Sequence, residues 1–271
     1  MSAWNWLHIF TAYLIYILVA ILASVAVRKT AGDLRDFSVR NSPRVLLLGG
    51  SANLIAMLAI LVLLVFLDKR SISDLGLDFS QIDMLVAAGG FIATFLLAIL
   101  FLFALKQTHR INSLAVVQPT QSFGQSLSML IGLLVLLTIV LQEEVLNRGY
   151  VALNLRSLGT WGVIFVSTTI FVLIHVITNR INVYQLISWI VSGWVLIISY
   201  LLSGSIWLPI VLHYATDATN TLIFNITGQY SFFKASPPIT EVQRAAFRIV
   251  YGVVMTTLLF SIYGVQFKFF M

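Results

Sequence analysis

The chain has 271 residues, of which 59% are hydrophobic and 10% charged, and its mean hydropathy is +0.98. Soluble domains carry about 25% charged residues, so this composition excludes a soluble globule and reads as an integral membrane protein. The net charge is +6 without a basic run that would form a nucleic-acid patch, and the absence of cysteine excludes disulfides, thiolate metal sites and a cysteine nucleophile.

In chain order, apolar runs of spanning length fall at Trp4–Val27, Val45–Leu67, Met84–Leu105, Ser126–Leu155, Trp161–Thr178, Tyr184–Leu202, Pro209–Ile226 and Ala246–Val265. A helix needs about 20 apolar residues to cross roughly 30 Å of hydrocarbon, so these runs predict an all-α, polytopic bundle of about eight transmembrane helices. No repeat, low-complexity tract or soluble domain interrupts it, and residues 1–271 read as one membrane domain. The first run is too long for a signal-peptide core and is followed by a poor cleavage-like site at Ala31-Gly32-Asp33, so it reads as a retained span. The fourth run is about 30 residues and would extend about 45 Å, so its helix must tilt, project, or carry polar residues at mid-depth.

The first connection holds Arg28, Lys29, Arg35, Arg40 and Arg44, the most basic stretch of the chain. By the positive-inside rule it is expected in the cytoplasm, with the N-terminus outside. Eight spans then put the loops around Lys106 and Arg110 and around Lys234 and Arg244 on that same side. His8, near the first boundary, and His109, in a polar loop, read as surface histidines.

The fourth run carries Gln142-Glu143-Glu144-Val145-Leu146-Asn147-Arg148-Gly149-Tyr150 directly after apolar sequence. A charge near mid-bilayer costs at least about 2.5 to 3.5 kcal/mol, so such groups face an interior and work there. On a helix Glu144 and Arg148 share a face, whereas Glu143 is turned by about 100°. Arg148 is therefore expected to neutralise Glu144 and leave Glu143 to act on a proton in a pocket. The plainer alternative is an ion pair at a membrane boundary with no chemistry.

Two further apolar runs carry histidine: His175 follows Phe171 by four residues and precedes Asn179 by four, and His213 precedes Asp217 by four, with Asn220 one turn beyond. Either ring, taken alone, fits a neutral histidine bonded to a neighbouring carbonyl or to a hydroxyl among Ser167–Thr169. Three helices with polar faces cannot leave them in lipid, and the expectation is that they converge on one wet cavity.

Glu143-Glu144-x-x-x-Arg148, Phe171-x-x-x-His175 and His213-x-x-x-Asp217, in that order on successive helices, resemble the three motifs of the CAAX-protease and bacteriocin-processing family of intramembrane glutamic proteases, which includes the Ras-converting prenyl endopeptidases. Arg148-Gly149-Tyr150, Gly204-Ser205-Ile206-Trp207-Leu208-Pro209 and Ser73-Asp74-Leu75-Gly76-Leu77 are similar as well, so the motif-bearing core spans residues 70–225. The resemblance implies a cofactor-free, metal-free endopeptidase that cleaves a peptide or lipidated peptide, of CAAX or leader type. It also implies that Glu143 activates water, that His175 orients the water or returns the proton, and that His213 donates to the oxyanion. The setting that goes with it is the bilayer of a prokaryotic plasma membrane; apolar helices alone fix no oligomeric state. Asp217 stands where the prenyl endopeptidases have Asn. An ionised carboxylate cannot donate a hydrogen bond, so its expected task is to hold His213 in a donating state, with Asn220 as a second donor.

Two other readings use the same residues. A zinc peptidase would take Glu143, His175 and His213 as three ligands of an open site, though no His-Glu-x-x-His helix is present. A non-enzymatic scaffold, bacteriocin-immunity or transport protein would use the polar stripes to bind a partner, and transport would call for paired helix breaks in two halves.

Overall fold

A computed structural model describes residues 3–31, 42–117, 123–178, 181–224 and 231–268. The fold is all-α and membrane-embedded. Its helices are α1 (Ala3–Ala31), α2 (Pro43–Val62), α3 (Gln81–Gln107), α4 (Phe123–Glu144), the single turn α5 (Ala152–Leu155), α6 (Gly159–Thr178), α7 (Val183–Ser203), α8 (Trp207–Leu222) and α9 (Glu241–Tyr263). Short π-helical segments follow α2 at Leu63–Leu67 and α4 at Val145–Val151.

Six stretches among the described residues are long and apolar enough to cross a membrane, and the expected count of eight is therefore approximate. The difference has two sources. Ser126–Ile177 is one 52-residue stretch that contains the fourth and fifth expected runs, broken by a 3-10 turn at Arg156–Leu158 and by Gly159 at φ +70°. The seventh run forms a helix of only 16 residues, about 24 Å long and short of a full crossing; the end of that run, residues 225–226, lies outside the described residues.

Helix boundaries follow local chemistry. Ser80 and Asp83 close a capping box at the start of α3, and Thr240 and Gln243 do the same for α9, satisfying backbone donors left orphaned at a helix start. Asn182 caps α7, and Gly204 ends it in the left-handed region at φ +71°.

The chain forms two compact units, Met1–Leu75 with Thr120–Asn154, and Gly76–Pro119 with Leu155–Met271. In the first, α2 packs on α1 and α4. Gly50 of α2 lies against Val135 and Thr138 of α4, where a Cβ would approach to 3.1 Å, the small-residue contact expected between helices in lipid. In the second, α7 packs against α6, α8 and α9, and α3 against α8. This unit also holds a feature the sequence reading lacks: the antiparallel ribbon β1 (Ser113–Val116) and β2 (Phe233–Ser236), in register Ser113 with Ser236 through Val116 with Phe233. The ribbon joins the loop after α3 to the loop before α9, so those two loops share a side.

Candidate active site

The first unit holds the acidic motif. Glu144 and Arg148 form an ion pair at 3.0 Å (Oε1 to Nη1), both side chains at 0% exposure. Glu143 is half-buried on a different face. The guanidinium pairs with Glu144, and Glu143 is the more exposed of the two acids.

The backbone here departs from a plain helix, because Val145–Val151 is π-helical. Such widened turns interrupt the regular hydrogen-bond ladder and occur often at functional sites. Side-chain amides add bonds on both sides of it: Asn147 Nδ2 donates to the Glu143 carbonyl at 2.8 Å and Asn154 Nδ2 to the Tyr150 carbonyl at 3.1 Å. The Tyr13 hydroxyl of α1 donates to Asn147 Oδ1, so a residue of the first helix reaches the backbone of Glu143 through one amide. Tyr13 and Tyr16 both lie within electrostatic range of the Glu143 carboxylate. Gly149 sits where a Cβ would come within 2.7 Å of Leu75 Cδ2, which explains the absence of a side chain between Arg148 and Tyr150.

His8, expected at the surface, pairs instead with Asp68, and Asp68 also accepts from Asn154 Nδ2 at 3.3 Å. An isolated carboxylate with 3% side-chain exposure is costly, and the imidazole and amide compensate it.

The second unit brings the other two motifs together. His175 Nδ1 lies 2.8 Å from the Phe171 carbonyl. A carbonyl only accepts, so Nδ1 carries the proton and Nε2 is the basic nitrogen of the neutral ring. The Phe171 ring lies 4.4 Å from the His175 ring and meets the edge of His213 at 6.2 Å, so one buried aromatic contacts both histidines. Gly193 of α7 makes room for it, since a Cβ there would approach Phe171 to 3.2 Å. Trp189 covers the far side of His175 at 5.3 Å.

His213 is buried, and its Nε2 faces Asp217 Oδ2 at 3.5 Å. The other carboxylate oxygen faces Arg248 Nη2 of α9 at 3.7 Å. Asn220 is half-buried on the same helix as His213 and Asp217, and Asn179 lies outside the described residues. The lead into α8 is held by backbone: Gly76, at φ +73°, accepts from Ile206 N at 2.9 Å, and Leu77 O accepts from Trp207 Nε1 at 2.9 Å. A Cβ on Gly76 would fall 2.0 Å from the Gly204 carbonyl oxygen.

Among the described residues no group of three or more His, Cys, Asp or Glu side chains is arranged to hold a metal ion. Tyr13, Asn147 and Arg248 are the polar neighbours of the motifs that sequence reasoning missed. For Arg248 a signal exists, an arginine inside an apolar run; for Tyr13 and Asn147 there is none beyond polarity within a span.

Residues 125–219 match the family model described as type II CAAX prenyl endopeptidase Rce1-like. No curated protein and no solved structure matches the chain. The matched segment contains Glu143 through Arg148, Phe171 and His175, and His213 with Asp217. Residues 125–219 of this multi-pass membrane protein, the stretch that bears all three motifs, are thus similar to the Rce1-like type II CAAX prenyl endopeptidases.

Proposed function

We propose that the chain is an intramembrane endopeptidase that hydrolyses a peptide bond of a membrane-delivered substrate with Glu143-activated water. The observation that carries the reading is Phe171, which contacts both His175 and His213 and so joins two motifs on different helices. Glu144 and Arg148 supply the complementary support: their fully buried pair brings a compensating cation to the turn that carries Glu143.

The chemistry follows from the groups. Glu143 takes a proton from water as the oxygen attacks the scissile carbonyl carbon, and the tetrahedral oxyanion then needs a donor. His213 has Nε2 turned to Asp217, so Nδ1 is the nitrogen that donates to the oxyanion, with the ring carrying both protons and Asp217 compensating its charge. The proton that Glu143 took from water then leaves it by way of His175, whose Nε2 is free of a proton because Nδ1–H is fixed on the Phe171 carbonyl, and ends on the leaving amine as the C–N bond breaks, which returns Glu143 and His175 to their starting states. The substrate class is a lipidated CAAX-type or leader-type peptide, the residues 70–225 form the catalytic core, and the N-terminus lies outside a prokaryotic plasma membrane.

The test is cleavage of a fluorogenic farnesylated peptide and its unlipidated twin by purified protein in detergent. Wild type is expected to cleave, Glu143→Gln to lose about 10²-fold or more of the rate, and a chelator to change neither. Loss of activity with chelator and recovery with zinc would replace this mechanism by a metal-dependent one. A folded wild type that cleaves neither peptide, nor a leader-type peptide, would favour a scaffold or immunity role.

A further inference from the structure

Arg248 lies in α9, outside the matched segment, in a helix that carries none of the three motifs. It is 7% exposed. A guanidinium withdrawn from water in a membrane helix is costly unless an anion compensates it. Among the described residues its ion pair is with Asp217, Nη2 to Oδ1 at 3.7 Å, while Oδ2 of the same carboxylate faces His213 Nε2 at 3.5 Å. One carboxylate therefore stands between an imidazole and a guanidinium, an oxygen turned to each.

We propose that Arg248 is a positioning residue for the hydrolytic reaction, acting on His213 through Asp217. The inference rests on the function proposed above and adds a residue to it. The argument is geometric. A carboxylate on a helix turns about its side-chain bonds, and an i,i+4 partner alone fixes only one of its oxygens. Arg248 approaches from another helix and holds the second oxygen, so the rotation that would take Oδ2 away from the ring is opposed. Arg248 also supplies the charge that keeps a half-buried carboxylate compensated when the ring is neutral. Among the described residues the buried Nη1 atom of Arg248 has no hydrogen-bond partner, and the contact with Asp217 is the ion pair that compensates the guanidinium. Tyr251, one turn along α9, is a further polar side chain within electrostatic range of Arg248.

A purely structural arginine predicts something different. It would lower the folded fraction when removed but leave the turnover of each folded molecule unchanged, and its loss would be independent of Asp217.

The experiment uses the full chain in detergent with Arg248→Gln, Arg248→Lys, Asp217→Asn and the double variant Arg248→Gln/Asp217→Asn. Turnover of the farnesylated peptide is normalised to folded protein. The chain has four histidines, so the imidazole nitrogens are also followed by NMR on protein labelled at histidine, with His213 assigned by its loss in His213→Gln. Arg248→Gln is expected to lower kcat between about 10- and 100-fold at little changed KM, the scale set by misplacing a catalytic group by about 1 Å. Arg248→Lys keeps the charge and is expected to recover part of the loss. The double variant is expected to match Asp217→Asn rather than to add the two losses. The His213 resonances are expected to move in Arg248→Gln and in Asp217→Asn, while those of His8 and His109 stay in place.

Additive losses, an unchanged kcat per folded molecule, or an unmoved His213 signal in Arg248→Gln would each overturn the proposal. If wild type cleaves no peptide yet the His213 signal still moves, the coupling stands and the endopeptidase reading falls. If wild type cleaves and the signal does not move, the reverse holds.

Discussion

Replacing Arg148 by Met would leave Glu144 as a carboxylate at 0% exposure facing a thioether of similar length. Val145, Leu146, Tyr150 and Val151, next to the pair along the chain, are buried as well, so the stranded carboxylate would stay withdrawn from water. Removing one partner of a buried ion pair costs about 3–5 kcal/mol, because the remaining charge loses its counter-charge without regaining water. At about 2–4 °C per kcal/mol for a chain of this size class, the melting temperature should fall by about 6–20 °C. Replacing both members, Glu144→Gln with Arg148→Met, removes the stranded charge and should return most of that loss. Glu143→Gln, at a half-buried position, should stay within about 2 °C of wild type while abolishing cleavage. Thermal unfolding in detergent, followed by far-UV circular dichroism, reads all four proteins. An Arg148→Met protein that melts with wild type, or a Glu143→Gln protein that melts as low as Arg148→Met, would refute the assignment of one acid to structure and the other to chemistry.

Two more predictions concern contacts around the motifs. Gly76→Ala adds the strain of a left-handed L-residue, about 1–2 kcal/mol, to a Cβ placed 2.0 Å from the Gly204 carbonyl oxygen; Gly204→Ala, left-handed at φ +71° and ψ 5° with its nearest neighbour at 3.4 Å, adds the strain alone. The first should therefore lower the melting temperature clearly more than the second, and equal effects would show that the close approach at Gly204 relaxes without cost. Tyr13→Phe leaves Asn147 Oδ1 without its hydroxyl partner, worth about 1–3 kcal/mol for a buried acceptor. It should lower both stability and the rate of cleavage, whereas Tyr16→Phe should leave the Asn147 bond intact and stability near wild type.

What the sequence made legible was local. Glu144 with Arg148, Phe171 with His175 and His213 with Asp217 are each four residues apart, and helical geometry alone brings such pairs into reach. Helix existence was legible from the length of apolar runs, but helix faces were not, because a span that is apolar all round has no stripe to mark the buried side. The π-helical turn at Val145–Val151 could not be read either, since the same residues suit i→i+4 and i→i+5 bonding. The contacts of Tyr13 with Asn147 and of Asn5 with the Asn154 carbonyl join residues 134 and 149 positions apart, and nothing local encodes them. The same holds for His8 with Asp68: a histidine near a boundary gives no hint of which carboxylate will meet it. Arg248 is a different case. The reasoning that singled out Arg148, a cation within apolar sequence, applies to it equally and supplies the missing signal.

The two arginines answer one energetic requirement. A carboxylate or imidazole withdrawn from water in a membrane interior needs its charge compensated. An arginine paired with a neighbouring carboxylate contributes to that compensation. Arg148 pairs with Glu144 beside Glu143, and Arg248 pairs with Asp217 beside His213. In both clusters the guanidinium compensates local charge through an intermediate carboxylate, and the group proposed to meet water or the oxyanion stands next to the pair. On this logic, removing either arginine harms fold and chemistry together, while Glu143→Gln and the volume-conserving His213→Gln harm chemistry more than fold. The pattern of losses across those four positions, read as stability against turnover, therefore separates a built hydrolytic site from a chance set of buried charges.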